Sequence, residues 1–161
     1  MVNFHLRHAL ELFTNPGRQP GWSHADLDLL EAQGTMSRGV ISAIAAAAAA
    51  RPQLAAVLDH PGAFLDVGTG VGRLAIEAAR TWPALRVVGI DIWQPALTAA
   101  RRNVADAGLE GRIEVRSQNV LDLSDQASFT LAWVPVPFFQ VEHSRHCSRE
   151  HATRWFRAAG S

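Results

Sequence analysis

An acid two residues ahead of three alternate glycines, in Phe64-Leu65-Asp66-Val67-Gly68-Thr69-Gly70-Val71-Gly72, is the pattern in this sequence best suited to chemistry. Glycine admits positive φ and lets a ligand come close to the main chain. Where a helix begins just beyond, its first N–H groups lack intrahelical partners and face whatever binds. Leu65 and Val67 suit a buried parallel strand, and Arg73 to Arg80 supplies good helix formers with apolar Leu74, Ile76, Ala78 and Ala79. The glycines therefore sit between strand and helix. Arg86-Val87-Val88-Gly89-Ile90-Asp91 reads as a second buried strand whose terminal acid lies 23 residues after Gly68. A carboxylate at such a tip accepts both hydroxyls of a ribose, so the two segments together predict a nucleoside site.

The glycine spacing separates two ligand classes. A dinucleotide fingerprint, G-x-G-x-x-G/A, would put Arg73 where its last small residue belongs. Asp66-x-Gly68-x-Gly70-x-Gly72 instead resembles motif I of the class I S-adenosylmethionine (SAM)-dependent methyltransferases. The resemblance implies SAM as cofactor, with Asp66 close to its methionyl part and Gly68, Thr69, Gly70 and Gly72 forming the turn beneath it. It also implies that Asp91 holds the ribose, that Ile92 or Trp93 flanks the adenine, and that Asn119 and Val120 lie on the other adenine face. Asn119 stands near the place where the family usually has an acid, and its amide oxygen accepts the adenine amino group more weakly than a carboxylate would. A further departure follows the fourth strand. Amino-group methyltransferases of this class often carry Asp/Asn-Pro-Pro-Tyr/Phe there, whereas this chain has Val134-Pro135-Val136-Pro137-Phe138. That difference argues against nucleic-acid or glutamine amino methylation, and the aromatic pair Phe138-Phe139 fits an apolar small-molecule acceptor better. If a base is needed, His24 is the candidate on offer. The function expected is SAM-dependent methyl transfer to a small molecule; the alternative is a SAM-binding remnant or interaction module without activity.

The elements that must position these residues run strand, glycine turn, helix, acid-tipped strand, helix from Pro95 to Gly108, strand Arg112 to Arg116, turn Ser117 to Asp122, and strand Phe129 to Val134. This order predicts an α/β, Rossmann-like parallel sheet with right-handed crossovers. By the resemblance its strand order is 3-2-1-4. Three units are expected: an N-terminal helical cap over 1–61, the SAM-binding core over 62–139 and an atypical tail over 140–161. The 22 residues after Phe139 are too few for the family's three further strands, so the sequence reads as C-terminally truncated. The fourth strand is then expected as an exposed edge that drives self-association.

In the N-terminal segment, Phe4 to Phe13 reads as one helix. Ser23, with Asp26 three positions on, starts a second that Gly34 ends. The loop Asn15 to Trp22 joins them, and His5, His8, Trp22 and His24 are more simply packing or solvated residues than a metal site. An Ala-rich helix over Val40 to Ala50, capped by Ser37 and ended or kinked at Pro52, follows. In the tail, His143, His146, Cys147 and His151 lack a closed zinc framework.

Composition sets the outer limits. The formal net charge of zero, with all 15 basic residues Arg, is read as arguing against a nucleic-acid partner. The single Cys147 and the lack of an apolar leader in the first twenty residues suit the cytoplasm. The eleven apolar residues from Val40 to Ala50 are too few for a bilayer, which needs about 20, so no membrane is expected.

Overall fold

A computed structural model of the chain describes residues 14, 27–125 and 128–135. The expected helix over Phe4 to Phe13, the start of the second at Ser23, His24, Trp22 and the tail 140–161 lie outside the described residues. Three helices come first: α1 (Leu27–Gly34), α2 (Ser37–Ala49) and α3 (Pro52–Asp59). Alternating strands and helices follow as β1 (Gly62–Val67), α4 (Arg73–Thr81), β2 (Leu85–Asp91), α5 (Gln94–Asp106) and β3 (Ile113–Ser117). A 3-10 turn (Val120–Asp122) and β4 (Leu131–Trp133) complete the order. The strands form a parallel sheet in the order β3-β2-β1-β4, as expected. Leu65 is opposite Val88 on one side of β1 and Ala132 on the other.

Burial explains the sheet. Phe64, Leu65, Asp66 and Val67 are all buried, as befits a strand covered on both faces. Their side chains alternate: Phe64 joins Leu85, Val87 and Ile113 beneath α2 and α4, while Leu65 and Val67 join Val88, Ile90, Val120, Leu123 and Phe129 on the opposite face. Helix α4 presents Leu74, Ala75, Ile76, Ala78 and Ala79 inward. At its C-terminal end the Arg112 guanidinium donates to Ala79 O in the helix, to Trp82 O at its cap and to Leu85 O at the start of β2, at 2.7, 3.0 and 2.7 Å. A cation is favoured at that end of a helix. Helix α5 starts with Pro95 in its first turn and closes before Gly108, whose φ is +66°.

Two local expectations are corrected. Ser37 is not the cap of α2 but its first residue; Met36 holds the cap position with helical dihedrals and makes no side-chain cap bond. Pro52 marks the end of that helix, one of the two outcomes expected, and does not kink it. It forces Arg51 into an extended conformation, φ −138° and ψ 95°, and opens α3. The fourth strand is also shorter than Phe129 to Val134. Thr130 donates both its N–H, at 2.8 Å, and its hydroxyl, at 3.0 Å, to Ala63 O, and the regular register runs from Leu131 to Trp133.

Candidate nucleoside site

The carboxyl ends of β1 and β2 meet at the glycine turn. Gly68 N–H and Thr69 N–H both donate to Ile90 O, at 2.9 and 3.0 Å, which draws the start of the turn across the end of β2. Gly70 N–H then donates to Asp91 Oδ2 at 2.9 Å, and Trp93 N–H donates to Asp91 Oδ1 at 2.9 Å. The half-buried Asp91 carboxylate thus organises the turn beside it and the entry to α5. Each carboxylate oxygen has capacity for a further donor.

The three glycines of the turn serve two purposes. All have positive φ: +71° at Gly68, +55° at Gly70 and +78° at Gly72. A Cβ at Gly68 or Gly70 would come no closer than 3.8 Å to Pro135 Cγ and 4.0 Å to Gly68 O, respectively. Each would thus meet a single atom, at ordinary contact distance, so the protein does not crowd the main chain at these two glycines. At Gly72 a Cβ would meet Ala100 Cβ at 3.2 Å, so this glycine lets α4 and α5 pack closely.

Asp66 is almost fully buried at 1 % exposure. The Thr69 hydroxyl donates to its Oδ2 at 2.7 Å. Burial pushes the Asp66 carboxyl up from 3.8 to about 7; the Thr69 bond opposes this, the nearby Asp91 charge adds to it, and a bond from the Ala75 backbone opposes it. Asp66 therefore sits beneath the turn and braces it. Gly89, in the middle of β2, completes the brace: a Cβ there would lie 2.6 Å from Thr69 Oγ1.

The remaining predicted residues divide. Ile92 is 69 % exposed, an apolar side chain beside Asp91 that is free to face a ring. Trp93 is half-buried and packs against Leu30, Val71, Ala96 and Ala99 at the helix interface. Asn119 caps its own 3-10 turn: Oδ1 accepts from Leu121 N–H at 3.0 Å. The Val120 side chain is buried in the core. Val134, at the end of β4, packs against that same apolar cluster.

Glu31, Asn103 and Gly89 escaped the reading of the sequence. Gly89 carried a signal, since glycine inside a buried strand marks a close approach. Asn103 carried another, a polar residue at helical spacing from buried Ala96, Ala99 and Ala100. Glu31 carried none, because its partners Arg73 and Asn103 lie 42 and 72 residues away. Among the described residues no cluster of His, Cys, Asp and Glu is arranged to hold a metal, and no helix is long and apolar enough to cross a membrane.

Comparison with known proteins agrees with this geometry. Residues 64–160 match the family described as methyltransferase domain. The ribosomal protein uL3 glutamine methyltransferase of Bordetella pertussis is 36% identical over 74 residues, covering 46% of this chain and 25% of that protein. The tRNA1(Val) (adenine(37)-N6)-methyltransferase of Vibrio campbellii is 30% identical over 90 residues, covering 55% and 38%. The chain thus spans well under half the length of these relatives. Among solved structures, one assigned as an S-adenosyl-L-methionine-dependent methyltransferase of Methanococcus maripaludis superposes with a TM-score of 0.62 at 18% identity, covering 89% of this chain and 65% of that one. The likeness to it is one of fold.

These relatives overturn one expectation. A small-molecule acceptor with no nucleic-acid partner was expected, yet the matching proteins are named for ribosomal protein, tRNA and, in the human U6 snRNA (guanine-N(2))-methyltransferase, snRNA. Net charge averages over a whole surface and says little about one acceptor groove. The departure at Val134 to Phe138 was likewise too local a feature to exclude an acceptor class.

Proposed function

The chain belongs to the methyltransferase domain family, and from that premise we propose that it binds its cofactor, S-adenosylmethionine, across the carboxyl ends of β1 and β2 and serves methyl transfer to a macromolecule. The observation that carries this reading is the Asp91 carboxylate, which ties Gly70 N–H and Trp93 N–H together beside two positive-φ glycines whose main chain the protein does not crowd. Asp91 accepts the ribose hydroxyls. Gly68, Thr69, Gly70 and Gly72 form the turn that the methionyl portion approaches, with Asp66 bracing it from below. Ile92 flanks the adenine, and the backbone at Asn119 and Val120 borders its other face.

When bound, S-adenosylmethionine supplies a methyl group activated by its sulfonium sulfur. No side chain has to activate that carbon, so the protein's part is to align the acceptor and exclude water. The macromolecular acceptor is inferred from the substrates for which the relatives are named. The test is incubation of the 161-residue chain with methyl-labelled S-adenosylmethionine and, separately, total RNA and ribosomal protein. Label in acid-precipitable RNA or protein supports the reading. Label confined to small molecules contradicts it.

A further inference from the structure

Glu31 on α1 joins three elements. Its Oε2 accepts from Arg73 at the start of α4, from Nε at 2.8 Å and Nη2 at 2.7 Å. Its Oε1 accepts from Asn103 Nδ2 on α5 at 2.6 Å. The same Asn103 Nδ2 donates its second hydrogen to Val71 O at 3.0 Å. Asn103 is buried at 5% exposure, and both hydrogens of its amide nitrogen have acceptors.

Val71 lies between Gly70 and Gly72, both in the left-handed region. Glycines have no side chain with which to hold such a conformation, and their freedom in the unligated chain is large. The Val71 carbonyl is thus a place where the ligand side of the turn is anchored from outside. Gly34 completes the fit, because a side chain there would collide with Arg73 and Val71. Leu30 packs on Val71, Ala96 and Ala99 from the same helix.

We propose that Glu31 and Asn103 are positioning residues that hold the glycine turn in its cofactor-receiving shape, so that docking of α1 and occupation of the turn reinforce one another. The inference rests on the reading of the turn as the S-adenosylmethionine site. Neither residue needs to touch the cofactor. Their effect passes through Val71 O, and by linkage an occupied turn holds α1 more firmly.

The experiment is calorimetric titration of S-adenosylmethionine into the wild-type chain and into Glu31→Ala, Asn103→Ala, the double variant and a Glu77→Gln control. It is paired with melting curves and hydrogen exchange of residues 27–34. Alanine keeps helix propensity at 31 and 103. In folded protein each single variant should weaken binding about tenfold, and the double variant little further, as expected of residues in one network. Glu77, which pairs with Arg38 and Arg80 outside the network, should leave affinity within about twofold. Cofactor should slow exchange across α1 in wild type and not in the variants. Lowered melting temperature with unchanged affinity and unchanged protection of α1 would assign the network to packing alone and overturn the inference. If Asn103→Ala does not fold, the partly exposed Glu31 decides by the same criteria. A wild-type chain that fails to bind S-adenosylmethionine overturns the reading of the turn itself, and the inference with it.

Discussion

The turn after β1 and the turn after β3 leave the same edge of the same sheet, yet their polar groups have opposite destinations. After β1, Gly70 N–H reaches the Asp91 carboxylate that Trp93 N–H also meets, and the two positive-φ glycines Gly68 and Gly70 keep an uncrowded main chain. After β3, the Asn119 side chain closes its own 3-10 turn, Gln118 N–H bonds Asp91 O, and Val120 fills the core. The first turn is built to receive something, whereas the second mainly satisfies itself. On the proposed reading, recognition of the cofactor is concentrated at β1 and β2, and the β3 side contributes shape more than recognition.

The largest effect should come from Gly70→Val. It places a β-branched residue at φ +55° and fills the space over the turn. S-adenosylmethionine binding should be lost in calorimetry while the fold persists by circular dichroism; retained affinity would reduce the turn to a connector. Next, Asp91→Ala should weaken binding by about 1.5–3 kcal/mol, the scale of hydrogen bonds to a charged group. The equivalent substitution on the β3 side, Asn119→Ala, should cost less than about 1 kcal/mol of affinity, since its neutral amide oxygen, which already accepts from Leu121 N–H, binds a further donor more weakly than a carboxylate does. Equal losses at the two positions would erase the contrast.

How much of this was legible depended on the range of the interactions. The strand, turn and helix from Gly62 to Thr81 and the acid-tipped β2 were readable because hydrophobic period, glycines and strand-end acid are local signals. The contacts that Trp93 and Asn119 make within the fold were not: Trp93 packs against Leu30 of α1, and Asn119 accepts from a backbone N–H two residues on. The Glu31 to Asn103 contact had no sequence signature at all. The acceptor was misread because the legible residues surround the cofactor, while acceptor choice depends on surfaces that those motifs do not describe.

A smaller effect distinguishes the buried floor of the first turn. Asp66 keeps its proton up to about pH 7 when folded but loses it near 3.8 when unfolded. Between those values the folded state binds more protons, so stability from this group is greatest at low pH and falls as pH rises through the window. Asp66→Asn removes the ionisation. Its melting temperature relative to wild type should therefore increase between about pH 5 and about pH 8. A difference that does not change with pH would mean that Asp66 ionises normally and that its burial is relieved in solution.

The most direct test of the central claim, that this turn is shaped for S-adenosylmethionine and not for a dinucleotide, is titration of the wild-type chain with S-adenosylhomocysteine and with NAD under identical conditions. The account predicts saturable one-to-one binding of S-adenosylhomocysteine and no heat of binding from NAD, because Arg73 occupies the place of the last small residue in the dinucleotide turn and is held there by Glu31. Saturable binding of NAD with none of S-adenosylhomocysteine would contradict it.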